Sequence, residues 1–380
     1  MPHIYLDHSA TTPVDTRVLD VMLPFFTQLY GNASSGHVFG RDAVLAIEEA
    51  RETIASVLHC KPAEIIFTSG GSESDNLAVR GAAWANQGRG KHLITTPLEH
   101  GAVGKTLDQL VTLNGFESTY LRPDHYGIIH PAELVAACRP DTTVCSIMYA
   151  NNEVGTIQPI RELATVAHAN GVIFHTDAVQ AAGQLTLDVQ YLGVDLLSLS
   201  GHKFYGPKGV GALYVREGVD IIPTQTGGSH EFGLRAGTLN TPLIVGLAEA
   251  LRLAYEYLQT RIAHYTALRD RLIGGVLAVV PNARLSGHPT NRLPSHASFV
   301  FQGEYPGLLD DLAAAGVAAS AASACKTGST TPSSVLLALG YDPLTAANSL
   351  RLTVGVQTTV AEIDYTINLL KQIFYSHKAA

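Results

Sequence analysis

The sequence predicts an α/β protein built on a mostly parallel sheet with helices on both faces. Two patterns carry that reading. Short apolar runs alternate with helical periodicity from about residue 43 to 255. The residues with reactive side chains gather just after those runs, where open α/β sheets place their ligands.

Taken in order, "AVLAIEEARETIASVLH" has the helical period, and "EIIFTS" is a short buried strand followed by the helix "ESDNLAVRGAAWANQ". Further strands are predicted at "HLITT", "TTVCSIMYA", "GVIFHTD" and "DLLSLS", with the helix "PIRELATVAHAN" between two of them. From Thr241 to Val280 the pattern is one long helical stretch ending at Pro281 and Asn282. Helices of that length in globular chains bridge domains or break within, so the domain boundary is placed inside it. Residues 15–258 form a large domain, and residues 1–14 with 259–380 form a smaller α+β domain containing "ASFVFQG", "GLLDDLAAAG" and "SLRLTVG".

Composition narrows the function. The 380-residue chain is 46% hydrophobic and 15% charged, which suits a well-packed enzyme-like protein, and its net charge of −8 disfavours broad contact with nucleic acid. No apolar stretch is long and uncharged enough to cross a bilayer, and the N-terminus lacks a basic region followed by an apolar run. Cys60, Cys138, Cys145 and Cys325 show neither C-x-x-C spacing nor disulfide density, and the sixteen histidines form no ligand cluster, so no metal and a reduced cytoplasmic compartment are expected.

Each strand end then offers one chemical group. After "EIIFTS" come Gly70, Gly71 and Ser72 at a helix start, which suits a phosphate, although Ser72 with Asp75 also reads as a capping box. His100 and the pair Asn151–Asn152 follow two other strands; taken alone, they read first as a structural or exposed histidine and a turn. Asp177, with Gln180 three residues on, closes "GVIFHTD" and either caps the next helix or pairs with a protonated heterocycle. Ser200, His202 and Lys203 follow "DLLSLS", and a lysine there can capture a carbonyl, whereas Lys208 reads as an exposed loop residue. The set together matches the needs of pyridoxal 5′-phosphate: a phosphate anchor, a carboxylate for the ring nitrogen, a stacking group and a Schiff-base lysine, Lys203.

The motifs "YLDHSATTPVD", "FTSGGSESDNLA", "NNEVGTIQPI", "HTDAVQ", "SGHKFYGPKGVGALYVR", "GLRAGTLNTP" and "SACKTGSTTPSSVLLALG" run nearly end to end. On these the chain resembles the cysteine desulfurases of the NifS/IscS type, class V aminotransferases of the pyridoxal-phosphate fold type I. The resemblance implies a seven-stranded, mostly parallel sheet and a homodimer. It implies that Gly71, Ser72, Ser200 and His202 hold the phosphate, with Thr238 reaching that of the other subunit. His100 would stack on the ring and move protons, Asp177 would pair with the ring nitrogen, and Gln180 with the phenolic oxygen. Asn152 would contact cofactor and substrate, and Arg351 would hold the substrate carboxylate.

Cys325 lies in a run of small residues and turn formers, and the resemblance makes it the sulfur carrier. The implied activity converts L-cysteine to L-alanine and leaves a persulfide on Cys325 for an acceptor protein, an iron–sulfur scaffold or another thiolation pathway. A cysteine or cystine C–S lyase, a selenocysteine lyase, and a low-turnover partner-binding scaffold are the competing readings. His8, Ala33, Phe232, Lys326 and Val356 depart from the usual pattern of the family, and Lys326 places an ammonium beside the reactive thiol.

Overall fold

Twelve strands are described: β1 (Ile4–Tyr5), β2 (Ile65–Thr68), β3 (His92–Thr95), β4 (Glu117–Tyr120), β5 (Thr142–Ser146), β6 (Ile173–Asp177), β7 (Leu196–Ser200), β8 (Gly211–Val215), β9 (Ala283–Leu285), β10 (His296–Phe301), β11 (Val317–Ala318) and β12 (Ser349–Thr353). The computed structural model describes residues 3–302, 305, 307–321 and 332–379. The central sheet has seven strands in the order β2-β8-β7-β6-β5-β3-β4. β8 runs antiparallel to both its neighbours and the other pairings are parallel. Every residue of β5, β7 and β8 is buried, as a sheet covered on both faces requires.

The five strands expected from apolar runs are present. β4, "ESTY", was not expected: it is a polar edge strand with no buried residue, so no apolar run marks it. The long stretch after Thr241 is two helices, Thr241–Glu256 and Leu258–Val279, separated at Tyr257 (φ −103°, ψ 15°). Neither proline nor glycine stands at the break, so local sequence does not announce it.

The largest apolar cluster packs the helix Val38–Leu58 and the helix Thr241–Glu256 onto the central sheet. A second cluster joins Ile4 and Leu6 to Leu272, Phe299, Leu352 and Phe374, over the three-stranded sheet β12-β10-β9. The N-terminal segment links the two. β1 pairs with β11, Asp7 bridges to Thr353, and Thr12 then bonds the His202 carbonyl through both its backbone N–H and its hydroxyl.

Gly211 is required where β8 meets the turn after β2. A Cβ there would lie 2.4 Å from the Leu199 carbonyl oxygen and 2.8 Å from the Gly70 Cα. Gly211→Ala is expected to destabilise the fold by about 1–3 kcal/mol through this overpacking, measured as a lowered urea midpoint.

Candidate active site

The carboxyl ends of β2, β3, β5, β6 and β7 open onto one cleft of about 540 Å³. Parallel pairing brings their following residues to a single sheet edge, and the antiparallel β8 begins there, adding Lys208 and Gly209. Of the residues singled out in the sequence, the cleft gathers Gly71, Ser72, His100, Asn152, Asp177, Gln180, Ser200, His202, Lys203 and Arg351. Thr238 is exposed and lies outside this chain's cleft. Cys325 and Lys326 lie outside the described residues.

At the end of β2, Gly70 adopts φ +149°, a conformation left to glycine, and stands at the N-cap of the helix Gly71–Asn86 without a side chain to cap it. The first turn of that helix lines the cleft. A Cβ on Gly71 would lie 2.8 Å from Val179 Cγ2 and 3.4 Å from Ser200 Cβ, so the glycine is what lets β2, β6 and β7 close up here. Ser72 is the second helical residue rather than the N-cap, so the capping-box alternative does not hold. Backbone N–H groups, the positive end of the helix and the Ser200 and His202 side chains make a donor set suited to phosphate. His202 accepts or shares a bond with Thr11 Oγ1 at 3.1 Å, and burial first, then Lys203 and Lys208, pushes its pKa down to about 4.

Asp177 ends β6 and is buried. Its Oδ1 accepts from the Val179 N–H at 2.9 Å, the capping contact expected for an Asp at a strand end. Burial raises its pKa; the Val179 N–H, His100 and Lys203 oppose that shift. His100 caps the helix Gly101–Asn114, accepting from the Ala102 N–H at Nδ1 (3.2 Å). The neutral ring therefore carries its proton on Nε2.

Lys203 sits in the helical turn Gly201–Lys203, and Nζ donates to the Ser9 carbonyl at 2.6 Å and the Ala10 carbonyl at 2.9 Å. Gln180 Nε2 donates to the same Ser9 carbonyl at 3.0 Å. Arg351, on β12, is 2% exposed. It donates from NH1 to the Asn152 carbonyl at 2.9 Å and from NH2 to Asp7 Oδ1 at 2.8 Å, while its Nε has no partner.

Sequence reasoning missed a second layer under these residues. Asp75 lines the cleft at 1% exposure, and burial, then the neighbouring Asp177, holds its pKa well above the usual carboxylate range. Glu99 is half-buried with its carboxyl turned inward: Oε1 accepts from the Met148 N–H at 2.8 Å and from Thr96 Oγ1 at 3.2 Å, and the buried Oε2 has no partner. Burial pushes its pKa up to about 8. His175, two residues before Asp177 on the same strand face, shares hydrogen bonds with Ser146 (2.8 Å) and Ser198 (3.0 Å), and burial lowers its pKa to about 3. The one available signal was an acid inside an otherwise small and apolar helix face, at Asp75. Lys208, read as an exposed loop lysine, is exposed and also lines the cleft. Among the described residues no group of three histidines, cysteines or acids could hold a metal ion.

A family model described as "Aminotransferase class-V" matches residues 4–366. The chain is 47% identical to "Cysteine desulfurase IscS" of Methanosarcina thermophila, over 97% of this chain and 91% of that one. Among solved structures it is similar to a "NIFS-LIKE PROTEIN" with a TM-score of 0.92 at 37% identity, covering 98% of this chain and 100% of the other. It is similar also to "SspA in complex with cysteine", with a TM-score of 0.82 at 38% identity over 92% of this chain and 98% of that one.

The inward-turned Glu99 carboxyl carries a pH signature. Its folded pKa, about 8, lies above the unfolded value near 4.3. The folded state therefore binds a proton that the unfolded state has lost, and stability falls as pH rises through that window. Glu99→Gln keeps the acceptor for the Met148 N–H and removes the ionisation. Thermal melts should place this variant above the wild type at pH 8 and close to it near pH 4.5; an equal offset at both would exclude a proton held on Glu99.

Proposed function

Because this chain belongs to the class-V aminotransferase family and, within it, to the cysteine desulfurases, we propose that its cleft binds pyridoxal 5′-phosphate and L-cysteine and removes the sulfur as a Cys325 persulfide, releasing L-alanine. The observation that carries this reading is the convergence of a lysine, a buried carboxyl and an uncapped, glycine-led helix N-terminus on one cleft. The cofactor, when bound, supplies the electron sink that stabilises negative charge at the substrate Cα.

The chain's own groups fit that task. Gly71, Ser72, Ser200 and His202 would hold the phosphate, and His202, kept neutral by its surroundings, donates or accepts without adding charge. Asp177 would face the ring nitrogen with its second oxygen, and a cation placed there would draw it to the ionised form. Gln180 would meet the phenolic oxygen. His100 would stack on the ring with a proton on Nε2 for exchange with the reacting thiol. Lys203 would anchor the cofactor carbonyl and, once displaced by the substrate amine, take the Cα proton on Nζ.

Asn152 and Arg351 would receive the substrate carboxylate. Arg351 would offer the carboxylate its unpartnered Nε, and NH2 would then be contested between that carboxylate and Asp7. Cys325, as thiolate, attacks the substrate sulfur: the new S–S bond forms as the Cβ–S bond breaks, and the electrons of that bond leave with the three-carbon fragment. An acceptor thiol of a partner protein, from an iron–sulfur scaffold or another thiolation pathway, would take the terminal sulfur.

We place this activity in a homodimer in the cytoplasm. Thr238 stands exposed and away from its own cleft, free to complete the phosphate site of a second copy. Phe26, Tyr30, Leu45 and Phe232 are each more than half exposed, an apolar surface that a second subunit would cover. No helix among the described residues is long and apolar enough to cross a membrane. The break at Tyr257 and the separate apolar cluster beyond it support a division into a large domain (15–258) and a small one (1–14 and 259–380).

Product analysis tests the reading. The purified protein, given L-cysteine and a reductant, should release alanine and sulfide in equal amounts; Cys325→Ser should lose both by at least two orders of magnitude. Pyruvate with sulfide, unchanged in Cys325→Ser, would identify a C–S lyase instead. Lys203→Ala should neither develop the yellow colour nor release either product.

A further inference from the structure

We infer that Arg261 is a positioning residue for Lys203, its uncompensated positive charge standing behind the lysine and favouring the neutral, nucleophilic amine. The inference rests on the reading of Lys203 given above. Arg261 lies in the first turn of the helix Leu258–Val279 and is only 6% exposed. Among the described residues its side chain makes no hydrogen bond and no ion pair, and its nitrogens keep a little contact with solvent. What it touches is the Tyr205 ring, 5.2 Å from the guanidinium carbon to the centroid. Asp15 is the carboxylate that feels its charge, and Asp15 is already held by both Arg17 Nε (3.0 Å) and Arg17 NH2 (2.7 Å).

Such a placement is unfavourable in three ways. A buried guanidinium loses its hydration, no carboxylate is left to pair with it, and the start of a helix already carries positive potential. The Tyr205 face offsets only part of this. A charge that weakens the fold is expected where it serves the chemistry. Arg261 and Lys203 line the same narrow cavity of about 20 Å³, with His8, Gln180, Tyr205 and Tyr265. A cavity of that size holds about one water.

The charges around Lys203 set the balance. Asp177 from β6 and the Ser9 and Ala10 carbonyls favour the ammonium form. His202 and Lys208 lie on the lysine's own loop, and His202 is held neutral. On the N-terminal segment His8 is neutral too, its pKa pushed down to about 4 by burial. Tyr205 and Tyr265 are phenols whose burial keeps them un-ionised. Arg351, paired with Asp7, and the exposed Lys208 line the open cleft together with Lys203; Arg261 is the permanent cation of the small cavity, and a like charge there disfavours protonation of Lys203.

The test compares Arg261→Met with Arg261→Lys. The full chain, stripped of cofactor, is exposed to limiting acetic anhydride at pH 8, and acetylation of Lys203 is read by mass spectrometry against the exposed Lys371. Only the neutral amine reacts. Arg261→Met should slow Lys203 relative to Lys371 by roughly tenfold, the change that one unit of proton affinity makes, and Arg261→Lys should stay within about twofold of the wild type. Arg261→Met should also melt no lower than the wild type, since it removes an unpaired buried charge. Unchanged acetylation in Arg261→Met, or equal slowing in both variants with a lowered melting temperature, would overturn the inference and leave Arg261 a packing residue. Borohydride reduction of the cofactor-loaded wild type separates the two claims. If no cofactor mass is fixed on Lys203, the functional reading fails; if it is fixed and acetylation is unchanged, only the role of Arg261 fails.

Discussion

A carboxyl group at the end of a strand buried on both sides is the constraint from which this site follows. β6 lies between β5 and β7, so Asp177 emerges in the middle of the sheet and not at an edge where water could solvate it. One oxygen is satisfied by the Val179 N–H; the charge must be met by something else. Parallel pairing supplies the answer, because the residues after β3 and β7 arrive at the same edge. His100 and Lys203 are the two side chains that draw Asp177 towards ionisation. The sheet topology and the electrostatics of the site are thus one arrangement seen at two scales.

The second layer shows the same rule with the opposite outcome. The Asp75 side chain and the Glu99 carboxyl are buried like that of Asp177, but neither has a cation to oppose the cost of burial: Asp75 is held well above the usual carboxylate range, and Glu99 is pushed up to about 8. His175 beside them is held neutral for the same reason. Two carboxylates in so small a space do not ionise together. Raising the proton affinity of Asp75 and Glu99 favours placing the negative charge beneath the cleft on Asp177, where a protonated ring nitrogen would need it. Hydrogen bonds from Met148, Thr96, Ser146 and Ser198 fix these groups without adding charge.

The sheet was legible because its strands are buried. Near-continuous apolar runs mark β2, β3, β5, β6 and β7, and the helices between them leave parallel pairing as the natural result. β4 escaped since an edge strand needs no apolar run, and the break at Tyr257 escaped since no glycine or proline marks it. The residues gathered in the cleft were legible for a different reason: each follows a strand, and strand ends converge. The buried acids were not. Burial of a carboxyl depends on what packs over it from distant segments, and nothing next to Asp75 or Glu99 in the chain reports that. The backbone carbonyls that hold Lys203 were invisible for the same reason, because Ser9 and Ala10 lie nearly two hundred residues away from it.

Those carbonyls tie the cleft to the second apolar cluster. Ile4 and Leu6 anchor the N-terminal segment in that cluster, and the Ser9 backbone N–H donates to Thr353 Oγ1 on β12. The same segment contributes Asp7, which holds Arg351, also on β12. The segment is therefore fixed on one side by β12 and on the other by Lys203, Gln180 and His202. Whatever competes with Asp7 for Arg351 acts on a stretch of chain only two residues from the carbonyl that Lys203 and Gln180 share. A substrate carboxylate is such a competitor. Arg351 stands on β12 of the three-stranded sheet and Lys203 in the turn that follows β7 of the central sheet, but one short segment hydrogen-bonded to both joins them, so the carboxylate end of the substrate and the lysine that must move belong to a single mechanical unit.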